Sequence, residues 1–170
     1  MKRGSKRATR SPRSTHFDAK GRARMVDVGG KAATAREAIA QGRIELSAPA
    51  LAAVVDGTAA KGDVLGVARI AAIQAAKRTS EWIPLCHPLP LDALEVDFAF
   101  ESAPPAIRIE SRARTTAKTG VEMEALVAVS AAALAIYDMC KSIDRAMVIG
   151  AIRLIRKSGG ESGTYERSGD

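Results

Sequence analysis

Leu94-Glu95-Val96-Asp97-Phe98-Ala99-Phe100, then Ser102-Ala103-Pro104-Pro105, then Ile107-Arg108-Ile109-Glu110, is the stretch whose reading decides the fold. Apolar and polar residues alternate on both sides of a proline-rich break, which predicts two half-buried strands joined as an antiparallel hairpin. Helical periods flank this hairpin. Upstream, Ser47 can cap a short helix with Pro49 in its first turn, running through Leu51, Val54 and Val55 to Gly57. Asp63 can cap a longer one from Val64 to about Thr79, with Leu65, Ala68, Ala72, Ile73 and Ala76 at helical spacing. Downstream, Thr119 and Glu122 form a candidate capping box opening a helix through Leu126, Val129, Ala133, Ile136 and Tyr137. Met147-Val148-Ile149-Gly150 and Ala151-Ile152-Arg153-Leu154-Ile155 then suggest one or two further strands. Residues 33–46 stay open: Thr34 with Glu37 fits a capping box, yet the same residues also sort into alternating sets. Helices interleaved with antiparallel strands point to an α+β fold.

Composition sets the bounds. The 170 residues suffice for one domain with a real core, and with only 4% aromatics that core must be closely packed Ala, Val, Ile and Leu. The net charge of +7 is unevenly placed. Residues 1–24 carry nine Lys or Arg against one Asp, so residues 25–170 balance at −1. The basicity thus belongs to an arm, 1–24, expected to be disordered; Met25-Val26-Asp27-Val28 opens the single domain, 25–163, and 164–170 is expected to be a flexible tail. Specific nucleic-acid binding is not expected of so neutral a core, and no secretory signal follows the arm. No run approaches the about 18 apolar residues of a membrane span. Two cysteines 54 positions apart suit reduced thiols in the cytoplasm. His16 falls in the arm, which leaves Cys86, His87 and Cys140 as soft ligands, too few and too scattered for a zinc site. No metal or other cofactor is expected.

Five places can hold chemistry. Leu85-Cys86-His87-Pro88-Leu89-Pro90-Leu91 is a proline-stiffened loop, preceded by Pro84, that restricts an imidazole as a proton-transfer or anion-binding group requires. Asp138 and Lys141 lie three apart on one helix face, where an ion pair is the ordinary outcome; beside Met139-Cys140, at the end of so apolar a helix, the pair also suits acid–base work. Glu122 and Glu124 occupy a first helical turn, which the helix dipole alone would favour. Lys61-Gly62-Asp63 and Lys157-Ser158-Gly159-Gly160 each set a cation beside permissive backbone, as an anion site would. Lys77-Arg78-Thr79 reads as a helix C-terminus whose cations complement the dipole.

Eight ordered blocks in this chain closely resemble the molybdenum cofactor biosynthesis protein C (MoaC) family of cyclic pyranopterin monophosphate synthases. They are Met25–Val28, Lys61–Val64, Ala75–Thr79, Ile83–Leu89, Thr119–Ala125, Ile136–Lys141, Met147–Gly150 and Lys157–Gly160. The likeness covers roughly residues 25 to 163. It implies a ferredoxin-like antiparallel sheet packed with helices, with residues 33–46 a strand. It also implies a homohexamer built as a trimer of dimers, with active sites between the subunits of a dimer. The implied reaction converts 3′,8-cyclo-7,8-dihydro-GTP, the product of a radical-SAM GTP cyclase, into cyclic pyranopterin monophosphate with release of pyrophosphate. By the resemblance Asp138 falls on the principal acid–base position, Lys61, Lys141 and Lys157 on functional lysines, and His87, Glu122 and Glu124 on other essential polar positions. Leu85, Cys86 and Met123 fall on residues lining the substrate site. Two rival readings fit less well. A GTP cyclohydrolase-like hydrolase normally needs a metal-activated water, and an RNA-binding module needs interleaved aromatics.

Overall fold

The computed structural model describes residues 16–18 and 20–169. Residues 1–15 and 19 of the basic arm, and residue 170, lie outside the described residues. In chain order the elements are β1 (Thr34–Glu45), α1 (Ala48–Val55), α2 (Val64–Ala76), α3 (Thr79–Trp82), β2 (Ala93–Ser102), β3 (Pro105–Ala117), α4 (Glu122–Cys140), β4 (Val148–Ser158) and β5 (Tyr165–Glu166). The strands form one sheet in the order β2-β3-β1-β4-β5, antiparallel at every pairing. With α2 crossing from β1 to β2 and α4 from β3 to β4, the first four strands make the split β-α-β arrangement of ferredoxin-like folds. The α+β expectation holds.

The hairpin forms where alternation places it, as β2 and β3, with Ser102 opposite Pro105 across a cis Ala103-Pro104 bond. The open segment 33–46 is the central strand. Its tertiary setting decides this: Ala38, Ala40 and Ile44 are fully buried on the face covered by helices. Gly42 lies between them, where an added Cβ would come within 2.5 Å of Val129 Cγ1, so glycine lets α4 settle close to β1. α4 packs on β1, β3 and β4, and α2 packs beside it. The facing residues are small, with Ala68 and Ala72 on α2 and Ala125, Ala128, Ala132 and Ala133 on α4 all fully buried. This is the aromatic-poor core the composition requires. By length and mean hydropathy alone α4 passes for a membrane span, but most of it is buried against the sheet and α2.

Three other expectations are corrected. α2 stops at Ala76 rather than Thr79, because the Thr79 hydroxyl donates to the Ala76 carbonyl (2.9 Å) and the chain restarts as α3. Ser47 precedes α1 as foreseen but makes no side-chain cap. Thr119 does not cap α4 either: Val121 takes that position, and Glu122 is drawn instead to Lys157. Beyond residue 163 the chain adds β5, whose Tyr165 and Glu166 pair with Lys157 and Arg156. Inside the basic arm, Phe17 and Ala23 form an antiparallel bridge around a turn in which Asp18, the arm's one acid, accepts from Arg22 Nε at 2.8 Å.

Candidate active site

The proline-rich loop after α3 is irregular backbone, as foreseen, and it is anchored where it rejoins the sheet: Thr115 Oγ1 donates to the Pro90 carbonyl at 2.6 Å. This fixes Leu85, Cys86 and His87 against the first turn of α4, where Glu122, Met123 and Glu124 project into the same cavity of about 720 Å³. Lys157 closes it from the end of β4, donating to Glu122 Oε1 (2.7 Å) and Ser162 Oγ (3.2 Å). Beyond it Gly159 (φ 92°) and Gly160 (φ 73°) turn in the left-handed region. A Cβ on the first would collide with the Ala35 carbonyl and on the second with the Arg36 guanidinium, so the permissive backbone is required here.

Glu124 is the unusual group. It is 3% exposed, and burial, with the Glu122 charge adding to it, raises its carboxyl from the ordinary 4.5 to about 7. The unfolded chain therefore ionises Glu124 from about pH 4.5 upward while the folded chain holds the proton to about 7. Stability is fully present below the lower value and is lost as pH rises across that window, by up to about 3 kcal/mol. Glu124→Gln removes the titration, so its stability relative to wild type should rise between pH 4 and pH 8 in urea denaturation. Equal pH dependence in the two proteins would show that the side chain ionises freely. Cys86, beside these acids, has its thiol pushed up by burial and then by Glu124 and Glu122, so it lines the cavity as a neutral thiol.

Sequence reasoning missed several lining residues. Arg36 reaches the cavity from β1, its Nε donating to the Ala117 carbonyl at 3.0 Å. Lys118 donates to the Gly29 carbonyl at 2.6 Å, and Lys31 pairs with Glu161 at 3.2 Å. His16 also lines it, although the sequence placed it in the arm. Nothing local marks these residues, since the pairing of β1 with β3 and the return of the chain after Gly160 bring them together.

The remaining predicted residues form a second cluster. Lys61 Nζ donates to Asp138 Oδ2 and to the Asp138 carbonyl, each at 2.8 Å, while Lys141 Nζ donates to Oδ1 at 2.7 Å. Lys141 and then Lys61 hold the Asp138 carboxyl down at about 2. Lys61 thus turns to Asp138 rather than to the start of α2, where Asp63 itself caps Gly66 N at 2.8 Å. Asp138 lies sixteen residues after Glu122 on the same helix, so about 24 Å separates the clusters. One copy brings His87, Glu122, Glu124 and Lys157 together, and it brings Lys61, Asp138 and Lys141 together, but it does not join the two sets.

A ferredoxin-like α+β chain with an acid- and cation-lined cavity at one helix end and a lysine-clamped carboxylate at the other has the makings of an enzyme for a phosphorylated substrate. Residues 25–160 match the MoaC family, and the chain belongs to that family. It is 57% identical over 156 residues to the cyclic pyranopterin monophosphate synthase of Pelotomaculum thermopropionicum, covering 92% of each chain. The namesake proteins of Heliobacterium modesticaldum (58% identity, 90% of this chain, 96% of the relative) and Chloroflexus aggregans (59%, 90% and 93%) are similarly close.

Proposed function

We propose that this chain is a cyclic pyranopterin monophosphate synthase acting on 3′,8-cyclo-7,8-dihydro-GTP. The observation that carries the reading is the cavity of about 720 Å³, nucleotide-sized, in which cations face a buried carboxylate that exchanges its proton near neutral pH. Rebuilding a purine into a pterin needs several proton transfers, and in this reading Glu124 and His87 serve them. Expelling pyrophosphate builds negative charge, for which Lys61, Lys141 and Lys157 are the counter-charges. In the resting protein those lysines are occupied by Asp138 and Glu122. A triphosphate drawing Lys61 and Lys141 toward itself would free Asp138, whose basicity then rises toward the ordinary carboxylate range.

The about 24 Å between the clusters supports a site built from two copies, His87 and Glu122 from one and Asp138 with its lysines from the other. A homohexamer, as a trimer of dimers, accommodates three such pairs. The substrate's chemistry puts the enzyme after a radical-SAM GTP cyclase, and the free thiols of Cys86 and Cys140 suit the cytoplasm. The test is incubation with the cyclic dihydro-GTP intermediate, following pterin and pyrophosphate together. Equimolar appearance of both is the expected result; consumption of substrate without pterin would overturn the reading.

A further inference from the structure

We propose that the short hairpin of residues 16–24 belongs to the substrate site, holding His16 so that its imidazole binds a phosphate of the substrate. The inference rests on the reading above for what occupies the cavity. It adds to that cavity a residue lying ahead of residues 25–160, the stretch matched to the family.

The hairpin is specified by its own residues. Besides the Phe17–Ala23 bridge, Asp18 Oδ1 accepts from the backbone N–H of Lys20 (2.8 Å) and of Arg22 (2.9 Å), which ties the turn to one carboxylate. Asp18 N donates to the Arg22 carbonyl at 2.9 Å, and Arg24 N donates to the His16 carbonyl at 2.8 Å. That last bond fixes the backbone of His16 itself. The hairpin does not build the core. Among the described residues none before Ala38 is buried, and Phe17 is 53% exposed. Apolar packing therefore does not account for where the hairpin sits.

Its moorings are polar, and they belong to the cavity. Lys118, which donates to the Gly29 carbonyl, and Lys31, which pairs with Glu161, both line it, as do Val26 and Val28. The described residues between 16 and 31 that reach the cavity are thus an imidazole, two valines and a lysine, with no carboxylate among them. The acids Glu122 and Glu124 come from α4 instead. Further cations adjoin this segment, since the Arg36 guanidinium donates to the Lys118 carbonyl at 3.3 Å and the Lys118 ammonium to the Gly29 carbonyl. Lys31, Arg36 and Lys118 therefore gather where the hairpin enters, and a phosphate is the part of a nucleotide that such a wall receives. An imidazole N–H there adds a donor that a phosphate oxygen can accept from.

Three variants of the full chain test this: His16→Ala, Asp18→Ala and the two combined. His16→Ala should raise KM for the cyclic dihydro-GTP intermediate at least about tenfold with kcat within about twofold, the signature of lost binding. In isothermal titration it should weaken the affinity for inorganic tripolyphosphate at least about fivefold. Asp18→Ala keeps the imidazole and loosens the turn, so it should raise KM in the same direction. If Asp18 acts only by placing His16, the combined variant should be no worse than His16→Ala alone. Urea midpoints should match wild type throughout, because neither residue lies in the core. Unchanged tripolyphosphate affinity in His16→Ala, a lowered urea midpoint in that variant, or losses that multiply in the combined one would overturn the proposal. Should wild type bind tripolyphosphate but make no pterin, the proposed function fails while the titration still judges His16.

Discussion

Asp138→Asn is expected to lower turnover by at least about 100-fold with the fold unchanged. The side chain is 56% exposed and does not belong to the core, so packing does not depend on it. What does depend on it is the charge arrangement at the end of α4, where one carboxylate receives Lys61 on Oδ2 and Lys141 on Oδ1. An amide of the same shape carries no charge and offers one acceptor oxygen, so one ammonium loses its partner. It is also useless as a base. With its carboxyl held at about 2 in the free protein, Asp138 is ionised across the working pH range and a poor proton acceptor. In the proposed reading it becomes a better one only when its lysines are engaged by substrate phosphates. The pH profile separates these states. The acid limb of kcat/KM, which reports free enzyme, should show no Asp138 inflection above about pH 3, while the limb of kcat, which reports the complex, should lie higher. Near-normal turnover in a folded Asn variant would mean that Asp138 has no part in proton transfer.

The sequence made the hairpin, the two long helices and the α+β class legible, because those elements carry their own periodicity. Residues 34–45 were not, because Thr34 and Glu37 mimic a helix start, and only the burial of Ala38, Ala40 and Ile44 beneath α4 selects the strand. Thr119 misled in the same way. Its capping partner Glu122 finds a stronger one in Lys157, a residue 35 positions away. In the two clusters, the residues that carry local signals are His87 on its stiff loop and Asp138 with Lys141 on one helix face. Arg36, on an alternating strand, and Lys118, just past the end of β3, were missed because a lone cation looks like any solvated charge until the β1–β3 pairing sets it over a cavity. The separation of the two clusters was implicit in the sequence, since sixteen helical residues fix it, but it acquires meaning only once α4 is known to be a single unbroken helix.

His87→Ala and Asp138→Asn, each nearly inactive alone, should recover about one quarter of wild-type activity when mixed in equal amounts, dissociated and reassembled. The figure follows from counting sites. Random pairing makes about half of the dimers mixed, and in a mixed dimer one site takes His87 and Asp138 from the chains that kept them, while the other takes both substitutions. α4 acts as a ruler between the two groups. His87 lies by its first turn and Asp138 in its last, and a helix does not shorten by about 24 Å to unite them. If instead the two groups served separate sites within one chain, every subunit would carry one lesion in any mixture and activity would stay at the level of the parents. Subunit exchange must be shown independently, for example by mass-tagged chains, so that a null result counts.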